Sequence, residues 1–75
     1  MTTLGTIRKN SREEIRVSLD EFRGMTLVSL RVWFQADDGN MRPGRQGLAF
    51  RPEALGEVLA ALHRADVELT GGGSA

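Results

Sequence analysis

The sequence predicts an α+β domain in which four antiparallel strands precede a single C-terminal helix (ββββα). Residues 14–19 and 25–36 alternate apolar and polar side chains, as half-buried strands do. Asp37-Asp38-Gly39-Asn40 is typical of a hairpin turn between the third and fourth strands. From Pro52 onward, apolar residues recur at helical spacing instead. The chain has 75 residues, enough for one small domain.

The strand bounds follow from alternation and from turn-forming residues. Strands are expected at 4–9, 14–19, 25–36 and 47–50. Residues 10–13 read as a turn and residues 20–24 as a loop that ends at Gly24. Residues 41–47 form a basic Gly/Pro segment before the last strand. Because the connections are short, neighbouring strands should pair antiparallel.

The longest strand has two chemically different faces. One face would carry Val28, Leu30, Val32 and Phe34. The other would carry Leu27, Ser29, Arg31, Trp33 and Gln35. One helix cannot cover both faces of a four-stranded sheet, so the second face must stay polar or contact another molecule.

The helix should begin at Pro52, a residue favoured in the first helical turn. Its apolar stripe consists of Leu55, Val58, Leu59 and Leu62. Arg51 at the cap position and Gly56 in the interior each cost about 1 kcal/mol. Packing of the stripe against a second subunit would offset these costs. Residues 1–69 are therefore expected to form the domain and residues 70–75 a disordered, glycine-rich tail.

Composition narrows the range of functions. With no cysteine and one histidine, His63, the sequence gives no basis for a metal site or a cofactor. No acid/base or nucleophile constellation is visible, so we expect no catalytic residues and no enzyme activity. No apolar run is long enough to span a membrane, which favours a soluble, intracellular protein without a membrane partner.

Charge is balanced overall but unevenly distributed. The chain has ten basic and ten acidic residues, yet residues 1–51 carry a net charge of +3 and residues 52–75 a net charge of −3. Nine of the ten basic residues are arginine, which suits bidentate phosphate contacts. Arginines beside aromatic rings on a sheet are typical of single-stranded nucleic acid sites. Rings on a strand are, however, more often packing residues, and charged turns are often merely solvated.

Four segments resemble one family in order and spacing: VSLDEFRG (17–24), TLVSLRVWF (26–34), DGNMRPGRQGL (38–48) and RPE (51–53). The chain resembles the single-stranded DNA-binding domain of the transcriptional coactivator family called positive cofactor four, over roughly residues 4–69. The resemblance implies a curved sheet and a homodimer with helices at the interface. It also implies binding of two antiparallel single strands, such as those of a melted duplex, with little sequence preference.

The resemblance assigns roles to individual residues. It implies that Phe22 and Phe34 stack on bases and that Arg23, Arg31, Arg42 and Arg45 are basic contacts. Arg8, Lys9, Arg16 and Trp33 complete the candidate nucleic-acid-binding set. Gln46 and Met25 stand where the family commonly has lysine. Alternation places Trp33 beside Arg31, whereas the resemblance places Phe34 in the groove; a bulge or strong curvature near Phe34 would reconcile the two.

Two other functions remain open at this point. A dimeric module that recruits transcription-machinery proteins would fit the zero net charge and the acidic helix. RNA binding would use the same stacking and phosphate contacts. A role in transcription, replication or repair would place the protein in the cytoplasm at the nucleoid if it is bacterial, or in the nucleus if it is eukaryotic.

Overall fold

The computed structural model describes residues 2–71. The strands are β1 (Thr2–Arg8), β2 (Glu13–Phe22), β3 (Met25–Gln35) and β4 (Met41–Phe50). A 3₁₀ turn (Pro52–Ala54) leads into the helix α1 (Leu55–Thr70). The strands form one antiparallel sheet in the order β1-β2-β3-β4. This arrangement confirms the predicted four-stranded sheet with one C-terminal helix.

The loop predicted over residues 20–24 is wrong. β2 continues to Phe22, which pairs with Met25 at the start of β3. The connection is the two-residue turn Arg23-Gly24, with φ values of 52° and 79°. Both residues lie in the left-handed region that a tight hairpin needs. Pairing along the full length of β3 therefore outweighs the low strand propensity of the acidic residues near the end of β2.

The fourth strand is also longer than predicted, since it begins at Met41 and includes the basic Gly/Pro segment. Pro43 is tolerated because β4 lies at the edge of the sheet. The register shifts between the pairs Arg31–Gly47 and Trp33–Pro43, so three β4 residues stand opposite Val32 alone. The expected bulge near Phe34 thus exists, but it lies in β4.

The two faces of the sheet differ in composition as predicted. The apolar face carries Val17, Leu19, Val28, Leu30, Val32, Phe34, Leu48 and Phe50, which the register aligns. Val28 is the one buried apolar side chain among residues 2–71. Leu48 and Phe34 on the same face are 57% and 39% exposed. A single chain therefore leaves much of its apolar face accessible to water.

The helix covers little of the apolar face of the sheet. The 3₁₀ turn begins at Pro52 as predicted for the helix start, and Arg51 makes no side-chain cap hydrogen bond. Within the described residues, α1 has no buried side chain, and Leu59 and Leu62 are each 57% exposed. The radius of gyration is 14.8 Å, against about 11 Å for a compact domain of this length. The chain is more open than a self-sufficient monomer would be.

The end of the helix differs from the predicted boundary between domain and tail. Thr70 is the last residue of α1, and the Gly71 N–H caps the helix by donating to Val67 O at 3.2 Å. The remainder of the predicted tail, residues 72–75, lies outside the described residues. The division into a domain and a tail stays a prediction.

Candidate nucleic-acid interface

The face of the sheet opposite the apolar face forms a groove. Ser18 and Ser29 are adjacent across β2 and β3 and are only 5% and 6% exposed. Small side chains are buried on a sheet face when larger neighbours rise around them, so these serines form the floor. The groove has a volume of about 190 Å³. It is lined by Thr3, Arg16, Ser18, Asp20, Ser29, Arg31, Trp33 and Pro43.

One wall of the groove is a stacked pair of side chains. The Arg16 guanidinium carbon lies 3.9 Å from the centre of the Trp33 ring. Arg16 pairs across the sheet with Arg31, and Trp33 pairs with Glu14, so Arg16 and Trp33 are diagonal neighbours. Arg16 Nε also donates to Glu14 Oε2 at 2.6 Å. The Arg16 guanidinium is therefore held in place by Glu14 and Trp33 before any ligand binds.

The side chain of Arg31 is held in place by a hydrogen bond to the neighbouring strand β4. Its Nη1 donates to Gly44 O at 3.0 Å, inside the bulged part of β4. Gly44 in the bulge and Gly47 beside it are both required by close packing, since a Cβ at either position would lie 2.8 Å from a backbone oxygen of β3. The Gly/Pro segment thus sets the bulge, and the bulge carbonyl positions Arg31.

Phe22 and Arg23 lie at the far end of the same face. Phe22 shares the parity of Glu14 along β2, so it points to the side of the sheet that carries Trp33. Phe22 lies eight residues along β2 from Glu14, the partner of Trp33, which corresponds to a distance of about 26 Å. Phe22 is 54% exposed, and Arg23 Cζ lies 5.2 Å from its ring centre. The groove and this pair together define a long, partly aromatic surface.

The structure does not bring Phe34 into the groove. The pairing of β2 with β3 is regular through Phe34, so Trp33 and Phe34 point to opposite faces. Phe34 lies with Val32, Gly44, Arg45 and Gln46 around a second depression. The bulge in β4 moves Arg45 toward this side without rotating β3. The two predicted stacking rings of β3 therefore belong to different surfaces.

The remaining candidate cations lie at the ends of hairpins. Lys9 Nζ donates to Glu13 Oε1 at 2.9 Å, and Arg42 Nη2 donates to Asp38 Oδ2 at 2.7 Å. Lys9 and then the Asn10 amide lower the pKa of Glu13. The backbone N–H of Asn40, followed by Arg42, lowers the pKa of Asp38. These exposed pairs shape the turns and reduce the positive charge that Lys9 and Arg42 offer to a ligand.

Arg8 lies at the end of β1, on the groove side of the sheet. It lies on β1 and pairs with Glu14, which places it on the groove side of the sheet. Arg8 lies outside the segments that carry the family resemblance, and the structure places it on the same face as Arg31.

Five groove residues were missed from the sequence: Thr3, Ser18, Asp20, Ser29 and Pro43. The two serines alternate with apolar residues and so read only as part of a polar strand face. Asp20 was placed in a loop because β2 was expected to end early. Its Oδ1 is buried and accepts no hydrogen bond from any described residue.

The predicted interface stripe on α1 is exposed in the isolated chain. Leu55 and Val58 are half-buried near the 3₁₀ turn, and Leu59 and Leu62 extend the stripe away from the sheet. Together with the open apolar face, the stripe forms an exposed apolar surface whose contact with water is unfavourable.

Residues 2–71 contain neither a metal-binding cluster nor a membrane-spanning helix. No group of three or more histidine, cysteine, aspartate or glutamate side chains is arranged to hold a metal ion. The helix found there is too short and too polar to cross a bilayer.

The fold and the groove define a class of small ββββα domains with one concave, arginine-lined sheet face. The chain belongs to the PC4 family, because the family model described as Transcriptional Coactivator p15 (PC4) matches residues 9–61. This family is the one called positive cofactor four above, so the resemblance is confirmed.

Solved structures agree with this assignment. A PC4 homolog from Burkholderia pseudomallei K96243 is 34% identical, with a TM-score of 0.82 over 89% of this chain and 90% of that chain. A second crystal form of the same protein gives a TM-score of 0.80 over 87% and 96%. A bacteriophage T5 homolog of the eukaryotic coactivator PC4, implicated in recombination-dependent DNA replication, is 19% identical. Its TM-score of 0.62, over 97% of this chain and 80% of that one, shows a shared fold.

Proposed function

We propose that this protein is a homodimeric, non-catalytic single-stranded DNA-binding protein that acts in transcription, replication or repair. The observation that carries the proposal is the groove, in which two positioned arginines and an aromatic ring surround a floor of small polar residues. Cations that neutralise phosphates and rings that accept bases are the two parts such a site requires. Membership of the PC4 family supports the same function.

Pre-positioning strengthens this argument. Arg16 is held by Glu14 and Trp33, and Arg31 is held by the Gly44 carbonyl. Neither side chain has to be ordered at the moment of binding, which reduces the entropic cost. Phe22, at the other end of the face, extends the path over about 26 Å. Such a path accommodates several nucleotides of an extended single strand.

The proposed dimer rests on exposed apolar surface. The stripe of α1 and the apolar face of the sheet are both partly open, and Val28 is the one buried apolar side chain in the described chain. A second copy would bring its own stripe and its own apolar face, because a two-fold interface uses the same surface on both subunits. Dimerisation would then leave the polar groove on each subunit free for a strand.

Binding is tested with a fluorescent thymine oligomer and its matching duplex across a salt series, while light scattering gives the protein mass. We expect a dimer that prefers the single strand. If Arg16, Arg23 and Arg31 each neutralise one phosphate, the logarithm of the binding constant should fall with the logarithm of salt at a slope of about −2 per strand. An absence of binding at low salt would refute the proposal and direct attention to a protein partner.

The stacking rings are tested by matched substitutions. Phe22→Ala and Trp33→Ala should each weaken oligomer binding by about 1–3 kcal/mol, the range measured for base–aromatic stacking. Phe34→Ala tests the second depression beside Arg45. A loss of affinity in Phe34→Ala alone would place the strand on the opposite side of β3. An unchanged affinity in all three folded variants would remove stacking from the mechanism.

The same assay also tests the two alternatives, binding of RNA and binding of a protein partner. An RNA oligomer of the same sequence, added as a competitor, measures the preference for deoxyribose. The proposed location follows the ligand: at the bacterial nucleoid or in the nucleus, according to the host cell.

A further inference from the structure

The Phe22 end of the groove face has an exposed apolar pair between two arginines. Phe22 and Met25 pair across β2 and β3, and they are 54% and 40% exposed. Arg23 follows Phe22 in the turn, with its Cζ 5.2 Å from the ring centre. Arg51 lies on the β4 side of Met25, and the two line a depression of about 250 Å³. The remaining lining residues are Thr26, Pro52 and Glu53.

The backbone directs Arg51 to the groove side of the sheet. Phe50, the last residue of β4, pairs with Val28 on the apolar face. Arg51 continues the extended chain, with φ −74° and ψ 152°, so its side chain leaves on the opposite side. Met25 shares the parity of Arg31 along β3 and points the same way. Arg51 and Met25 therefore belong to the face that carries the groove.

No contact within the chain explains an arginine at position 51. Arg51 occupies the cap position of the 3₁₀ turn but makes no side-chain cap hydrogen bond, whereas serine, threonine, aspartate or asparagine commonly does. Within residues 2–71 its guanidinium also forms no ion pair, although Glu53 lines the same depression. The positive charge of Arg51 is therefore available to an anion.

Arg23 shows the same conflict between residue type and position. Its φ of 52° lies in the left-handed region, which glycine and asparagine adopt more readily than arginine. Residues that break a local preference without a compensating contact are expected at functional sites. Arg23 and Arg51 are two such residues, and they flank the exposed pair formed by Phe22 and Met25.

We propose that Arg51 binds a backbone phosphate of the single strand, at a subsite where Phe22 and Met25 contact the adjacent base. The proposal rests on the proposed function, since it extends the path of the same strand beyond Phe22. A ring accepts a base by stacking, and the flexible methionine side chain adapts to its shape. A guanidinium suits bidentate contact with phosphate oxygens. Two strand spacings, or about 10 Å, separate β2 from β4, so the strand would turn across β3 at this end.

Arg51→Asn is the main test, with the full chain and a fluorescent thymine oligomer over a salt series. The variant should bind about tenfold more weakly at low salt, as for one lost hydrogen bond to a charged group. The slope of log binding constant against log salt should become less negative by about 0.7, the contribution of one phosphate. The melting temperature should rise, because asparagine is a favourable cap residue.

Two matched variants separate a local contact from a change in net charge. Arg64→Asn makes the same substitution at an exposed position on α1 and should keep the affinity and the salt slope of the parent. Glu53→Gln removes the negative charge from the depression beside Arg51 and should tighten binding of the oligomer.

Each contrary result overturns a defined part of the reasoning. If the parent binds tightly and Arg51→Asn keeps its salt slope, Arg51 contacts no phosphate and the subsite is wrong, while the proposed function stands. A slope that Arg64→Asn flattens equally would assign the effect to net charge and refute the subsite. Dissociation of the Arg51→Asn dimer in light scattering would assign Arg51 to subunit contacts instead. No binding by the parent at low salt refutes both the subsite and the proposed function.

Discussion

The exposed leucines of α1 give the most direct test of the proposed homodimer. In the double variant Leu59→Ser/Leu62→Ser, both central side chains of the stripe become polar. Full burial of a leucine stabilises by about 1.5–3 kcal/mol, and each of these residues is 57% exposed in the isolated chain. Burial of the exposed part would therefore contribute about 1–2 kcal/mol per leucine.

A symmetric dimer contains four such side chains, so the double variant should lose about 3–7 kcal/mol of association free energy. Since 1.4 kcal/mol corresponds to a factor of ten, the dimer dissociation constant should rise by about 10² to 10⁵. Sedimentation equilibrium over a dilution series measures this constant. Circular dichroism at each concentration shows whether the dissociated chain stays folded.

Ala60→Ser provides the control, because Ala60 lies on the side of α1 away from the stripe. It introduces the same residue type into the same helix and should leave the dissociation constant nearly unchanged. If the double variant dimerises as tightly as the parent, the stripe is not the interface. If the parent itself is monomeric, the whole proposal of a homodimer is wrong.

Four further substitutions test individual features. Arg23→Asn should raise the unfolding free energy by about 1 kcal/mol in chemical denaturation, because Arg23 has a φ of 52° that asparagine tolerates better, and should weaken oligomer binding. Gly47→Ala should destabilise by about 1–3 kcal/mol, since the added Cβ would meet the Leu30 oxygen, whereas Gly56→Ala, in open space within the helix, should raise the melting temperature. Because the pKa of Glu13 is lowered, its stabilising contribution is present above its ordinary pKa of 4.5 and lost as the pH falls through the lowered value. Glu13→Gln should therefore flatten the acid side of a plot of melting temperature against pH; an unchanged slope would contradict this.

The sheet could be predicted largely because alternation is a local signal. The two faces of β3 follow from residue parity alone, and the register confirms them. The end of β2 could not be predicted in the same way. In the turn Arg23-Gly24 an arginine adopts a left-handed conformation, which is unfavourable for this residue type. The length of β4 depends on an edge position and a bulge, which only the assembled sheet provides.

The candidate site was predictable only in part, because it is made by contacts across strands. Arg31 and Trp33 were expected on one face, and the structure places them there. The stack of Arg16 on Trp33 depends on a diagonal relation between β2 and β3 that no single segment reveals. Asp20 lies in the groove because β2 extends past it to Phe22, beyond the predicted end of the strand. The family resemblance supplied residue types but not the face on which Phe34 lies.

The strict alternation along β3 has a consequence for how this chain can change. Consecutive residues serve different surfaces: Leu30 and Val32 belong to the apolar face, while Arg31 and Trp33 belong to the groove. Substitutions can therefore change the groove and the apolar face separately. An insertion or deletion of one residue within the strand would exchange the two surfaces at once. Length variation should be tolerated instead at the Asp37–Asn40 turn, where an added residue leaves the parity of both strands intact.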